Sequence, residues 1–182
     1  MKLYDDSNSR RGLQALIMLM HIVTVAACVL FLGHIFGSRF SMDGSSMAPQ
    51  IEDEEVVLIN RAIYVIRDPE RFEPVLFETV SGKRTIKRVI GLPGETVKIV
   101  EGVIYINDAP LDLPDYMIPL ANTTSSSAGA VTLPSDSYYV LGDNPQFSED
   151  SRSPTIGLIK KKDVIGKPWS VILPIKKVRF IP

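Results

Sequence analysis

The stretch "RTIKRVIGLPGE", residues 84 to 95, reads as a β-strand running into a Leu-Pro-Gly turn. Successive side chains on a strand point to opposite faces, so Thr85, Lys87 and Val89 share one face while Ile86, Arg88 and Ile90 share the other. Two neighbouring cations are thereby forced apart. If either face is buried, its cation must be paired, hydrogen-bonded or neutral. Lysine can become neutral at accessible pH and arginine cannot.

On both sides of this strand the same kind of run recurs. "EVVLINRAIYVI" (55–66), "PVLFETV" (74–80), "ETVKIVEGVIYIND" (95–108), "SYYVLGD" (137–143) and "KPWSVILPIKKVRFIP" (167–182) are rich in Val, Ile, Tyr and Phe. The fold class this predicts is mostly β. Glu101-Gly102 between "TVKIV" and "VIYIN" marks a hairpin, and Asn107-Asp108 supplies the next turn. "LANTTSSSAGAVTLPSDS" (120–137) is poor in bulky apolar groups and reads as an exposed insertion. The basic run Lys160–Lys162 reads as a solvated turn or helix end ahead of "DVIG" (163–166).

Upstream the pattern changes completely. From Leu13 to Gly37 no Lys, Arg, Asp or Glu occurs, and as a helix this segment would span about 37 Å, enough to cross a bilayer core of about 30 Å with some tilt. It is too long for the apolar core of a cleaved signal, and Cys28 of "VAAC" is followed by further apolar residues instead of a polar tether. Lys2, Arg10 and Arg11 precede it and Arg39 alone follows closely, so the positive-inside rule puts residues 1–12 in the cytoplasm and residues 38–182 outside it. The expected location is the cell membrane, crossed once at residues 13–37. A net charge of −1 gives no footprint for nucleic acid. Cys28 is the single cysteine, so the exported part can build neither a disulfide nor a cysteine metal site, and nothing in it calls for a cofactor or a metal.

"MDGSSMAPQI" (42–51) presents two adjacent serines shortly after the apolar segment ends. The only histidines, His21 and His34, lie inside that segment, so a nucleophilic serine outside it needs another base. A lysine near its ordinary pKa of about 10.4 is neutral in about one molecule in 2,500 at pH 7, but burial lowers that pKa by up to about 3 to 5 units. Lys87, with apolar neighbours along its strand, is the candidate. A third segment, "LGDNPQFSEDSRSPTIGLI" (141–159), carries Ser148, Asp150 and Arg152 in alternation, as a hydroxyl and a carboxylate-guanidinium pair supporting a site would be arranged.

Together, "GSSMAP", "IKRVIGLPGE" and "LGDN" followed by "SEDSR", in that order behind one N-terminal anchor, resemble type I signal peptidases, membrane-bound Ser-Lys endopeptidases that remove signal peptides from exported preproteins. The resemblance spans residues 12 to 175. It implies a β-rich catalytic domain at 38–182 behind the anchor, with Ser46 as nucleophile and Lys87 as general base. It further implies an oxyanion hole that includes the Ser46 backbone N–H and lies beside Gly44, a lysine-orienting hydroxyl at Ser148, and a supporting shell of Asp143, Asp150 and Arg152. The signal peptide would lie extended along a strand edge, with Met47 and Ile86 lining a shallow pocket for a small residue before the cut. An apolar surface facing membrane lipid is also implied.

The sequence departs from the family pattern at Pro145, where arginine usually follows "GDN", at "FEPVLFE" where "GDIVVF"-like sequence is common, and at Gln50, a frequent threonine. Two other readings use the same fold. One is a non-catalytic, membrane-tethered assembly factor or chaperone, which would need neither Ser46 nor Lys87. The other is a self-cleaving repressor-type protease, which the anchor and the lack of a DNA-binding segment disfavour.

Overall fold

The computed structural model describes residues 6–36, 38–120 and 129–182. Helix α1, Asp6–Phe36, contains a span from Arg10 to Phe31 that is apolar and long enough to cross a membrane, and none of it is buried against the rest of the chain. At 1.5 Å per residue its 22 residues cover about 33 Å. Within it His21 Nδ1 lies 2.7 Å from the Ile17 carbonyl one turn back, so this ring is satisfied by its own helix.

Strand β1, Ser38–Ser41, follows the helix and pairs antiparallel with β2, Val56–Asn60. The larger sheet also contains β3 (Pro74–Glu78), β4 (Arg84–Gly91), β9 (Ser137–Leu141), β10 (Ile159–Lys160), β11 (Val164–Leu173) and β12 (Arg179–Phe180). Its order is β1-β2-β11-β3-β4-β9-β10, with β12 beside β11. A smaller sheet has the order β7-β6-β5-β8, from β5 (Thr96–Val100), β6 (Val103–Ile106), β7 (Ala109–Pro110) and β8 (Val131–Thr132). The chain is therefore β-rich behind one apolar N-terminal helix, as its sequence predicts.

The two hairpin turns fall where expected. Glu101 and Gly102 have φ of 49° and 80°, and Asn107 and Asp108 have 49° and 66°. Positive φ at both central residues is the requirement of a type I′ turn, whose twist matches that of the flanking strands.

Pairing along β4 is uneven, and this positions the site. One edge is covered by β3 from Arg84 to Arg88, while β9 covers the other edge only from Arg88 onward, through Arg88–Leu141, Val89–Val140 and Gly91–Tyr139. Residues 84 to 87 thus have no strand partner on the β9 side among the described residues. Both faces of the strand are buried from Ile86 on. The Lys87 face meets a core of Val75, Phe77, Val89, Tyr138 and Val140, and Ile86 joins another of Met42, Met47, Ile51, Val57 and Leu76.

Two expectations are corrected. The run 55–66 does not stay extended: β2 ends at Asn60, whose Oδ1 accepts from the Ala62 and Ile63 N–H groups, and Ile63–Ile66 form a short helix, α2. An Asn side chain offering the backbone these bonds competes with the ladder. The 120–137 stretch is not an exposed insertion throughout. Residues 121–128 lie outside the described residues, but Leu120 and Leu133 are in the core, Val131–Thr132 pair with β5, and Ser137 is buried in β9. The basic run, by contrast, is the turn it was read as: Lys161–Asp163 form a single 3₁₀ turn, and β11 begins at Val164.

Candidate active site

Ser46 lies in the turn after β1, and the loop that follows β9 holds it from the other side, where the Asn144 N–H donates to the Ser46 carbonyl over 3.0 Å. Close approach here requires a glycine: a Cβ on Gly142 would overlap the Ser46 carbonyl oxygen and the Ser148 side chain. Both serine and lysine are buried, at 7% and 3% exposure. Lys87 Nζ and Ser46 Oγ are 2.6 Å apart across 41 residues of sequence. No carboxylate hydrogen-bonds to this lysine among the described residues.

Loss of hydration is the main influence on Lys87, lowering its pKa from an ordinary 10.5 to about 8. The charges of Asp150, Asp143 and Glu149 oppose that shift, and Lys83 reinforces it. At pH 8 about half of such lysines carry a lone pair. A neutral amine so placed can accept a proton from the Ser46 hydroxyl 2.6 Å away.

The pair opens into a cleft of about 180 Å³. Thr85 and Lys87 contribute from β4, Asp43 and Gly44 from the serine turn, and Phe147, Glu149 and Ile156 from the loop after β9. Gly44 is thus at the site, but its own N–H is taken by Asp53 Oδ1 at 2.7 Å.

Asp150 and Arg152 form the expected brace. Arg152 Nε and Nη2 each donate to Asp150 over 2.8 Å, Asp150 also accepts from the Gly142 N–H, and Arg152 Nη2 reaches the Pro145 carbonyl over 2.8 Å. The proline that displaces the family's usual arginine is therefore held by Arg152 and starts a 3₁₀ turn, Pro145–Phe147. Asp143 braces a different element, donated to by Arg88 Nε and Nη2 at 2.7 and 2.6 Å with neither side chain exposed. Arg88 Nη1 also reaches the carbonyls of Phe72 and Pro182, and its guanidinium lies 4.6 Å from the Tyr116 ring centre.

Three residues sit differently from expectation. Ser148 Oγ is buried beside Gly142 with no hydrogen-bond partner, so the bond that would orient Lys87 is not formed in this arrangement. Met47 and Ile86 are completely buried in the core and do not line the cleft. They form the packed layer beneath it, because the alternation that turns Lys87 toward the cleft turns Ile86 inward. Sequence reading did not single out Arg88 as Asp143's partner, Asp53 as the clamp on Gly44, or Phe147 at the cleft. Only Arg88 left a signal, as the cation forced to the face opposite Lys87.

The family model for signal peptidase, peptidase S26, matches residues 15–173. The chain is 32% identical over 169 residues to signal peptidase I U of Bacillus subtilis (strain 168), covering 90% of each, and 32% identical over 165 residues to a signal peptidase I of Bacillus amyloliquefaciens, covering 87% of each. A crystal structure of a signal peptidase I from Enterococcus faecalis V583 shares 33% identity, covering 56% of this chain and 97% of that one with a TM-score of 0.43. A hydrolase of the serine endopeptidase class is what these relationships define. The chain belongs to the signal peptidase family, peptidase S26.

Proposed function

We propose that this protein is a single-pass membrane endopeptidase that removes N-terminal signal peptides from exported preproteins, cutting after small residues with Ser46 as nucleophile and Lys87 as general base. The observation that carries it is the 2.6 Å contact between Ser46 Oγ and a buried lysine whose pKa is lowered to about 8. Neutral Lys87 takes the hydroxyl proton as Oγ attacks the scissile carbonyl, and returns it to the leaving amine. Backbone N–H groups of the serine turn stabilise the oxyanion. Met47 and Ile86, fully buried and adjacent in sequence to Ser46 and Lys87, support a shallow site that takes a small side chain.

The anchor reading rests on α1, and the orientation on Lys2, Arg10 and Arg11 ahead of the span. Val65 and Ile66, each 86% exposed on α2, together with Ile175 and Phe180, give the catalytic domain apolar groups suited to a lipid surface. Incubating the detergent-solubilised full chain with a preprotein, beside Ser46→Ala, tests the proposal. Release of the signal peptide by the parent and none by the variant is expected. Equal behaviour of the two would favour a non-catalytic, membrane-tethered assembly factor or chaperone.

A further inference from the structure

The structure assigns Phe147 a role in choosing substrates: we infer that its ring contacts the first or second residue after the cut and favours an apolar side chain there. This rests on the peptidase reading above and adds a contact on the far side of the scissile bond.

Three observations lead to it. First, Phe147 is 68% exposed, yet it lines the cleft that holds Ser46 and Lys87. An exposed aromatic ring on a catalytic wall is available surface for an apolar partner. Second, it is firmly carried. The Phe147 N–H donates to the Asn144 carbonyl, the Asn144 N–H donates to the Ser46 carbonyl, and Arg152 ties the Pro145 carbonyl to Asp150. Little ordering is left to be lost when a substrate packs against a ring so placed.

Third, the strand pattern dictates which part of a substrate reaches it. An extended peptide can add to β4 only along residues 84 to 87, because from Arg88 onward that edge belongs to β9. The residues before the cut take that free edge, and the scissile bond sits at Lys87 and Ser46. Substrate residues beyond the cut cannot continue along β4. They must turn away over the loop that leaves the end of β9, where the Pro145–Phe147 turn stands beside Ser46. Among the described residues lining this cleft, only Phe147 and Ile156 are apolar, and Ile156 packs against the core while Phe147 projects outward.

The test uses the full chain in detergent and preprotein substrates identical through the cut, carrying Leu, Ser or Asp at the first or, in a second series, the second residue after it. In one of the two series the parent should process the Leu form about five- to tenfold more efficiently, in kcat/KM, than the Ser form, the range expected of one partly buried apolar contact. Phe147→Ala should bring that ratio close to one, Phe147→Leu should retain part of it, and Phe147→Lys should shift the preference toward Asp. Binding of the same substrates to Ser46→Ala should follow the parent's order. A parent with no preference in either series, or a Phe147→Ala variant that slows all substrates equally with the ratio intact, would overturn the inference. A parent that cleaves no substrate at all overturns the peptidase reading, and this contact falls with it.

Discussion

The two faces of β4 hold adjacent cations in opposite conditions. On one, Arg88 is enclosed completely and satisfied completely, by a two-point contact with Asp143 and by two carbonyls. On the other, Lys87 is almost as enclosed but has only a serine hydroxyl for company. Lys167 on β11 makes the contrast plainer: it lies 2.7 Å from Glu73, and with Arg67 it helps hold that carboxyl down at about 2. Burial alone therefore does not make a base. Burial without a partnering carboxylate is the condition that the proposed base role of Lys87 requires.

The largest expected effect comes from exchanging the character of one face. Lys87→Arg keeps charge and approximate length but cannot release its proton. Cleavage of a preprotein should fall by a factor of at least about a thousand, roughly 4 kcal/mol of barrier. Substantial activity in that variant would end the distinction drawn between the two faces. Next, Asp143→Ala leaves the Arg88 guanidinium buried without its countercharge and should destabilise the folded domain by about 3 to 5 kcal/mol. Thermal unfolding of the solubilised chain reads this directly, and an unchanged midpoint would mean that the pair contributes nothing to the fold. The mildest intervention is pH. Since the proposed mechanism uses Lys87 in its neutral form, kcat/KM should climb as pH rises through about 8 and level off above it. Replacing His21 and His34 together should leave the curve where it is, since His21 lies within the span with its ring against its own helix. A shift of that curve toward the ordinary lysine range would show that the amine is better hydrated than its surroundings imply.

What could be read from the chain alone was whatever alternation and turn chemistry determine locally. The β4 alternation separated Lys87 from Arg88, the two type I′ turns declared themselves at Glu101-Gly102 and Asn107-Asp108, and the absence of histidine outside the apolar segment pointed to lysine. Ser46 itself came from family resemblance, since its neighbour Ser45 has the same local chemistry. Where pairing depends on distant strands, local pattern had nothing to say. Nothing near Arg88 announces a carboxylate 55 residues away, and Leu133 hides its core position inside a stretch of small polar residues. Met47 and Ile86 were placed one layer too far out, because resemblance names the residues around a pocket without giving the depth of the packing beneath it.

The direct run of α1 into β1 also has a kinetic meaning. From Ser38 to Ser46 there are eight residue steps, which even fully extended cover no more than about 29 Å. With α1 in a bilayer, Ser46 can never drift farther than that from the level of Ser38. Under the proposed function its encounters are then confined to a thin layer next to the lipid, where a substrate held by its own apolar segment would be concentrated. Proteins a few nanometres away in free solution would stay out of reach, so on that reading the short tether restricts the protease by geography before any side chain is read.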